Sequence, residues 1–504
     1  MPTSETPGRR AVGWLAAALV ILLALVGCRV PGQSPTPAPS SPGATPRPFT
    51  VMSTDPVRVT DPAAMIDASS SMLALNVFQR LMTAEPGGAA LKPDAARDCL
   101  FTAATTYTCT LNDELVFHNG HPLTSADVKF SIERATRLNV GGSSASLLDS
   151  YRRIDTPDDR TIRFLLRQPD TQFGWALASP AASIVDQEVY DADRVQEPED
   201  PIIGSGPFSV ASFSADQVQL SRYVDYVGRT PGRLKELVYR RAGDSASIED
   251  AMTKGVVEVV WRGLDAAAVT RLSQQVQQSS EQQTVSGYAE QVVPGARVLQ
   301  LQWSPASSAR RSKALRAAIA LALQGDRTSD SVVPPEVPGH TSSFPLGGTA
   351  SPKVTWKNRI NLTLGYDPTT PNGQDIAVQI RTRLEDTGGL SVKLVAGEPN
   401  ADLVLLDRKA WTATALAWLQ PYLDAPLPST AESVSAIETD FRGTTEEAAA
   451  DQLLGALQKQ TAVDLVLLPI SQSDERIYVR AGTEMSDVSF GPGWQLGLWG
   501  ISNG

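Results

Sequence analysis

Short apolar runs alternate with longer amphipathic stretches in the later part of the chain. Residues 361–367 (NLTLGYD), 390–395 (LSVKLV) and 401–407 (ADLVLLD) have the length and apolar content of strands. Residues 375–386, between the first two runs, carry apolar side chains at helical spacing. Strands that alternate with helices are typical of an α/β fold, and the pattern predicts that class.

A second informative pattern is the segment 115–135, LVFHNGHPLTSADVKFSIERA. It predicts a strand end, then a tight turn at Asn119-Gly120, since both residues tolerate positive φ. Thr124 and Asp127 are three residues apart, which is typical of a capping box and predicts Thr124 as the N-cap of a helix. The buried face of that helix is predicted to contain Val128, Ile132 and Ala135.

An uncharged apolar run at residues 11–27 follows two arginines and ends at a cysteine. The run is short for a transmembrane helix, which needs about 20 apolar residues. Its basic flank and the small residue before the cysteine fit a secretory signal. The ending LVGC resembles the bacterial lipobox, so residues 1–28 are predicted to be a lipoprotein signal peptide with Cys28 as the lipidated residue. The alternative is an uncleaved N-terminal anchor with an incidental cysteine.

Residues 29–48 are rich in proline, serine and glycine and have no apolar period. Such a segment cannot bury enough surface to offset its ordering entropy, so an extended tether is predicted. The length of the body, 49–504, predicts two or three domains. The formal net charge of -11 argues against a nucleic-acid partner.

Two cysteines remain in the body, Cys99 and Cys109, in short strand-like runs around a polar turn. An exported protein matures where disulfides persist. A bridge between them would contribute on the order of 3 kcal/mol. A Cys99–Cys109 disulfide is therefore predicted, with two buried free thiols as the alternative. Neither cysteine lies in a pattern with metal-ligand spacing.

The segment 115–135 also closely resembles the signature of the family 5 extracellular solute-binding proteins, the peptide- and nickel-binding group of ABC importers. The matching residues are Phe117, His118, Gly120, Pro122, Leu123, Thr124, Asp127, Val128, Phe130, Glu133 and Arg134. Further stretches similar to that family follow in order at 204–208, 222–241, 251–261 and 299–327. The second of these stretches reads RYVDYVGRTPGRLKELVYRR, and the third reads AMTKGVVEVVW. The similarity is strong before about residue 260 and weaker after it.

The resemblance implies a type II, cluster C periplasmic-binding-protein-like fold, with a bilobal cleft and an extra inserted lobe. It implies a discontinuous base lobe, lobe I, made of residues 49–83, 201–295 and 478–504. Lobe II is implied at 84–200 and lobe III at 296–477.

Peptide-binding relatives carry an aspartate in a Gly-Trp-x-x-Asp pattern of the third lobe, where it pairs with the ligand's α-ammonium. A buried cation needs such a counter-charge. The corresponding segment here, 404–426, has Trp411 and Trp418 but no aspartate at that spacing. Asp407 is a candidate substitute and Trp411 a candidate ligand contact, with capping of the next helix as the alternative role of Asp407. Asp424 is no better a candidate.

Trp303 ends a predicted strand where relatives commonly carry an asparagine close to the cleft. Its indole is either a stacking wall for an apolar or sugar-like ligand or a part of the core. The three histidines, His118, His121 and His340, are too scattered in sequence to predict a metal site. No cofactor is expected.

The sequence predicts no enzyme, because it lacks a Gly-x-Ser-x-Gly elbow, a His-Glu-x-x-His motif and a phosphate loop. Paired carboxylates stay open, since any two of the 55 acidic residues could meet. The predicted lipoprotein signal peptide implies an exported, lipid-anchored protein at the outer face of the cytoplasmic membrane or in the cell envelope, and the family resemblance implies a solute-binding protein. It would capture a small ligand, with an oligopeptide as a candidate, and deliver it to ABC transporter permease subunits. The alternative is a transport-independent envelope lipoprotein that regulates or scaffolds cell-envelope biosynthesis.

Overall fold

The structure is a computed structural model, and it describes residues 47–84, 90–348, 358–397, 400–412, 414–486 and 489–504. The predicted signal peptide, Cys28 and nearly all of the predicted tether lie outside these residues. Within the described part of the chain, no helix is both long enough and apolar enough to cross a membrane.

The strands of the described residues belong mainly to one large mixed sheet. They are β1 (Phe49–Ser53), β2 (Met82–Ala84), β3 (Leu91–Pro93), β4 (Ala96–Ala103), β5 (Thr106–Leu111), β6 (Tyr151–Asp158), β7 (Thr161–Leu166), β8 (Phe208–Ser214), β9 (Gln217–Arg222), β10 (Glu236–Arg241), β11 (Val259–Val260), β12 (Tyr288–Trp303), β13 (Ile360–Tyr366), β14 (Leu390–Ala396), β15 (Leu403–Arg408), β16 (Leu467–Arg480), β17 (Thr483–Met485) and β18 (Ile501–Asn503). The large sheet has the order β14-β13-β15-β12-β16-β11-β1-β10-β9-β8. The predicted strands of the later chain are confirmed as β13, β14 and β15.

The α-helices of the described residues lie between these strands. They are α1 (Ala68–Val77), α2 (Ser125–Leu138), α3 (Phe173–Ala176), α4 (Ser245–Thr253), α5 (Ala266–Gln278), α6 (Lys313–Leu323), α7 (Gly373–Glu385), α8 (Ala415–Leu423), α9 (Ala431–Gly443) and α10 (Glu447–Asp464). The helix predicted at 375–386 is confirmed as α7, which packs against β13 and β14. Because β13 pairs in parallel with both β14 and β15, the α/β prediction holds for this part of the chain.

Two long strands, β12 and β16, join the two halves of the large sheet. We call β1, β8, β9, β10 and β11 the first half, β13, β14 and β15 the second half, and β12 with β16 the crossing strands. The crossing strands pair antiparallel along most of their length, and the ladder shifts register between Val293 and Arg297 and again between Leu299 and Gln300. Gly295, at the first irregularity, has a φ of 62°, which a residue with a Cβ rarely adopts. The two halves therefore meet through a ladder that is interrupted at its middle.

A separate antiparallel sheet, which we call the small sheet, has the order β4-β5-β7-β6. Cys99 of β4 lies directly opposite Cys109 of β5, and the structure joins them in a disulfide. In β5, Tyr107, Cys109 and Leu111 are buried and their neighbours are not, so one face of the strand points to the core.

Helix α2 begins as the sequence predicts. Thr124 is its N-cap, and both its backbone N–H and its hydroxyl donate to the Asp127 carboxylate at 2.8 Å. Val128, Ile132 and Ala135 are all buried, which confirms the predicted face.

His118, just before this helix, is fixed against the turn at 204–208. Its Nε2 donates to the Gly206 carbonyl at 3.0 Å, and the backbone N–H of Gly204 donates to Nδ1 at 3.3 Å. These partners assign the ring to a neutral tautomer, and burial lowers the pKa of His118 to about 4. A Cβ on Gly204 would lie 2.1 Å from the Val77 carbonyl oxygen, so only glycine fits there. His118 thus holds two parts of the fold together.

Arg134, also on α2, forms a buried ion pair with Asp61. Its Nη1 and Nη2 donate to the two carboxylate oxygens at 2.9 and 2.5 Å, and neither side chain is more than 1% exposed. The carbonyls of Asp191 and Arg194 accept from the same guanidinium at 2.6 and 2.7 Å. The pair therefore joins three separate segments of chain.

We expect Arg134→Ala to lower the free energy of unfolding by about 3–5 kcal/mol, because the buried Asp61 carboxylate would lose its counter-charge. Arg137→Ala is the matched control on the same helix: its partner is Asp193 and its side chain is 48% exposed. That change should cost about 1 kcal/mol or less. Urea unfolding of the two variants measures the difference, and equal losses would contradict a structural role for the buried pair.

Candidate functional site

Six charged residues converge between the two halves of the large sheet, and we call them the central ion cluster. They come from the segment after β1, the segment after β11, both crossing strands and the end of β15. Its members are Asp55, Arg262, Arg297, Asp407, Lys409 and Glu475.

Arg262 is the centre of this cluster. Its Nε donates to Asp55 at 3.0 Å, its Nη2 to Asp407 at 2.8 Å and its Nη1 to Glu475 at 3.3 Å. Each nitrogen of the guanidinium thus contacts a different carboxylate. The side chains of Arg262, Asp407 and Glu475 are no more than 2% exposed, so water does not screen these contacts.

Two more cations complete the charge balance. Arg297 donates to the same oxygen of Asp407, and Lys409 donates to Glu475 at 2.7 Å and to the Ala296 carbonyl at 2.9 Å. Three cations therefore face three carboxylates. The cluster leaves no surplus negative charge for the cationic end of a ligand.

The pKa values of the three carboxylates of the central ion cluster shift in different directions. Burial opposes the ionisation of Asp407, but Arg262, Arg297 and Lys409 outweigh it and hold the pKa of Asp407 at about 2. In Glu475 burial is likewise outweighed, by Lys409 and Arg262, and the pKa is lowered. The pKa of Asp55 is raised, because burial exceeds the effect of its one bonded cation, Arg262.

A cavity of about 650 Å³ lies away from this cluster, between the small-sheet region and helices α8 and α9. Residues 139–150 and 167–168 line one wall, and α8 and α9 line the other. Its charged lining residues are Asp149, Arg167, Asp424, Glu438 and Arg442. The cavity is thus polar, with both signs of charge, and it has walls from two different parts of the chain.

The wall formed by α8 carries a buried acceptor. Gln420 donates from Nε2 to Asp424 at 2.6 Å and to Ser146 at 3.2 Å, and its Oε1 has no partner in the described residues. Burial raises the pKa of Asp424, and it also raises the pKa of Asp149 across the cavity. A ligand with hydrogen-bond donors would satisfy these acceptors.

The two walls are held together by direct contacts. Arg442 of α9 pairs with Asp170 at 3.2 Å, and the backbone N–H of Thr171 donates to the Arg442 carbonyl at 2.7 Å. Glu438 pairs with the same guanidinium at 2.8 Å. The positive charge of Arg442 is therefore already neutralised. Of the described residues that line the cavity, Arg167 is then the cation available to a ligand carboxylate.

The sequence-predicted site residues lie elsewhere. Trp303 is 1% exposed in the main apolar core, four rungs along the β12–β15 ladder from Asp407. Trp411 packs into the apolar cluster of the small sheet, and Asp407 belongs to the central ion cluster. None of the three lines the cavity, and their contact with a ligand stays a prediction.

Sequence reasoning missed Gln420 in the cavity and five members of the cluster: Asp55, Arg262, Arg297, Lys409 and Glu475. A signal was present for Arg262, which directly follows the apolar run Val259-Val260-Trp261. A charge at the end of a buried strand is held close to the interior. Among the described residues, no group of three or more histidine, cysteine, aspartate or glutamate side chains could hold a metal ion.

Comparisons with known proteins bear on this geometry. A sequence model of the bacterial extracellular solute-binding proteins, family 5 (middle region), matches residues 90–431. The probable D,D-dipeptide-binding periplasmic protein DdpA of Escherichia coli is 29% identical over 223 residues, 42% of this chain and 42% of that protein. The probable ABC transporter periplasmic-binding protein SapA of Escherichia coli is 24% identical over 283 residues, 52% of this chain and 50% of that protein. The chain therefore spans half or less of the length of these relatives.

Solved structures share the fold over almost the whole chain. The binding protein AgaA from A. tumefaciens R10, in complex with agropinic acid, superposes with a TM-score of 0.78 at 19% identity, over 91% of this chain and 99% of that one. The dipeptide-binding protein of Pseudoalteromonas sp. SM9913, in complex with Met-Leu, superposes with a TM-score of 0.75 at 17% identity, over 90% of this chain and 100% of that one. The fold is thus the predicted type II periplasmic-binding-protein fold.

The lowered pKa of Asp407 makes the stability contributed by the central ion cluster depend on pH. A carboxylate whose pKa falls from 3.8 to about 2 on folding contributes about 2 kcal/mol of stability. That contribution is complete above the unfolded pKa and is lost as the pH falls towards 2. We expect Asp407→Asn to destabilise the protein by about 3–5 kcal/mol at pH 7, since Arg262 and Arg297 lose a shared counter-charge. The difference in free energy of unfolding between variant and wild type should become smaller as the pH falls, because Asp407 of the wild type becomes protonated.

Urea unfolding at pH 7 and pH 3 measures this change. Asp367→Asn is the matched control, because Asp367 also pairs across the two halves, with Arg58 at 2.9 Å, but is 37% exposed. If the difference in free energy of unfolding between Asp407→Asn and wild type is the same at both pH values, the Asp407 carboxylate is not the ionised partner of Arg262 and Arg297.

Proposed function

The chain belongs to the family 5 bacterial extracellular solute-binding proteins, and we propose that it is a lipid-anchored member that captures a small peptide or peptide-like ligand and delivers it to an ABC permease. The observation that carries the proposal is the polar cavity between the small-sheet region and α8 and α9. A ligand in this cavity would touch both walls at once. Binding and closure are then coupled, without any chemical step.

The lobes of this proposal have the boundaries that the resemblance implies. The boundary at 295/296 falls within β12, beside the register shift between Val293 and Arg297. The boundary at 477/478 falls within β16. A hinge in two adjacent strands would let lobe III (296–477) move against the remainder as a unit.

The ligand class follows from the charges in the cavity. Asp149 and Asp424 offer carboxylates, Gln420 an unpaired amide oxygen and Arg167 a guanidinium. These groups suit a compact solute with an ammonium group and a carboxylate. In this proposal the ammonium partner comes from the cavity, because Asp407 is already bonded to Arg262 and Arg297.

The anchor is proposed at Cys28, with residues 29–48 as the tether that separates the body from the membrane surface. Firm attachment requires more than one acyl chain, since a single chain binds only marginally and reversibly. This places the body at the outer face of the cytoplasmic membrane or in the cell envelope.

A second candidate function is a transport-independent envelope lipoprotein that acts as a regulator or scaffold. The central ion cluster favours it, because the chain's own side chains fill the region between the two halves of the sheet. A cleft held by internal contacts needs no ligand to fix the relative position of the lobes.

We expect full-length protein from its own host to carry a small ligand in native mass spectrometry. A panel of di- and tripeptides, each with its N-acetylated form, should include a member that raises the melting temperature, because a ligand at 100 times its Kd stabilises the folded state by about 2.7 kcal/mol. Asp424→Asn should weaken that binding about tenfold, or 1.4 kcal/mol. Asp216→Asn, at an exposed position on the β8–β9 turn, is the control. No bound ligand and no shift with any peptide would favour the scaffold function.

We expect Cys28→Ser to abolish labelling with an alkyne fatty acid, because the sulfur is the site of acylation. The double variant Cys99→Ser/Cys109→Ser is the control and should keep the label, because these two cysteines form the disulfide. Wild-type protein that lies in the membrane fraction with no acyl label would instead support the uncleaved apolar anchor.

A further inference from the structure

Arg262 has an unusual backbone conformation. Its φ is 53°, in the left-handed region that residues with a Cβ rarely adopt. The backbone carbonyl of Arg262 accepts from the Ser53 hydroxyl at 2.9 Å, which ties it to the end of β1. Such a conformation persists only where the surroundings hold it.

The guanidinium of Arg262 reaches across the two halves of the sheet. Its main chain belongs to the first half, just after β11, as does its partner Asp55. Asp407 lies on β15 of the second half, and Glu475 lies on a crossing strand. One side chain thus connects the two parts that hinge motion would separate.

The charge count shows what Arg262 supplies. With it, three cations balance three carboxylates. Without it, Asp407 keeps Arg297 and Glu475 keeps Lys409, whereas Asp55 keeps no directly bonded cation among the described residues. The region would then lack one planar cation with several donors, enclosed by buried carboxylates.

We propose that Arg262 is a built-in ligand: its guanidinium occupies the central cation position between the lobes and holds them closed with no solute bound. This goes beyond the proposed function, because it concerns the solute-free state and does not depend on transport. It also assigns the recognition of any external solute to the cavity rather than to the central ion cluster.

Arg262→Gly tests the proposal, because glycine accepts the left-handed backbone and removes only the side chain. We expect the full-length variant to melt at a lower temperature than wild type. Guanidinium chloride, far below denaturing concentrations, should raise the melting temperature of the variant but not that of wild type, since the free ion fills the vacated position. Potassium chloride at the same ionic strength should not do so. Arg58→Gly, which removes an exposed ion pair between the same two halves, is the control and should show no such recovery.

Lobe closure is measured separately by double electron–electron resonance spectroscopy. The spin labels are attached at Glu236→Cys and Lys393→Cys, two exposed positions on opposite halves of the sheet. The solute-free wild type should give one short distance, Arg262→Gly a broader and longer distribution, and added guanidinium the wild-type distance again. A variant that stays as closed as wild type, or that loses stability with no guanidinium-specific recovery, would overturn the proposal. If the glycine variant does not fold, Arg262→Asn takes its place, because asparagine also tolerates the left-handed backbone and leaves the cation position vacant. An open solute-free wild type would overturn the proposal by itself.

Discussion

The antiparallel pairing of β12 with β16 is the contact on which the rest of the structure depends. Within the described residues it is the ladder that connects β15 of the second half of the large sheet with β11 of the first. Two members of the central ion cluster, Arg297 of β12 and Glu475 of β16, lie on these strands. Its register shifts near Gly295 and Leu299 interrupt the bonding that would otherwise make the two halves a rigid plate.

The central ion cluster complements that interrupted ladder. Burying six charges is costly, and their mutual attraction offsets the cost only in an arrangement where each finds its partner. Such a cluster adds little net stability, but it penalises every other relative position of the two halves. Geometry that the crossing strands leave adjustable is therefore set by Arg262 and its three carboxylates.

The segment that resembles the family signature has a different task. His118 bonds to Gly204 and Gly206, and Arg134 pairs with Asp61, so these residues hold separate segments of the fold together. The cavity is lined by other residues, on the 139–150 segment, α8 and α9. The side chains that hold the fold together and those that line the cavity are thus separate sets, so a family resemblance carried by the first set does not specify the second.

The sequence by itself determined the local elements of this protein. The strands β13, β14 and β15, the helix α7 and the Thr124–Asp127 cap of α2 follow from spacing over a few residues, because periodicity and capping are short-range properties. The family, too, could be recognised from one continuous segment. The ion cluster could not, since its members come from five places between residues 55 and 475 and a partner for Asp407 depends on which strands pair. Only the tertiary structure decided that Asp407 faces two arginines of the chain itself, because buried charges are neutralised by whichever group the fold brings within a few ångströms.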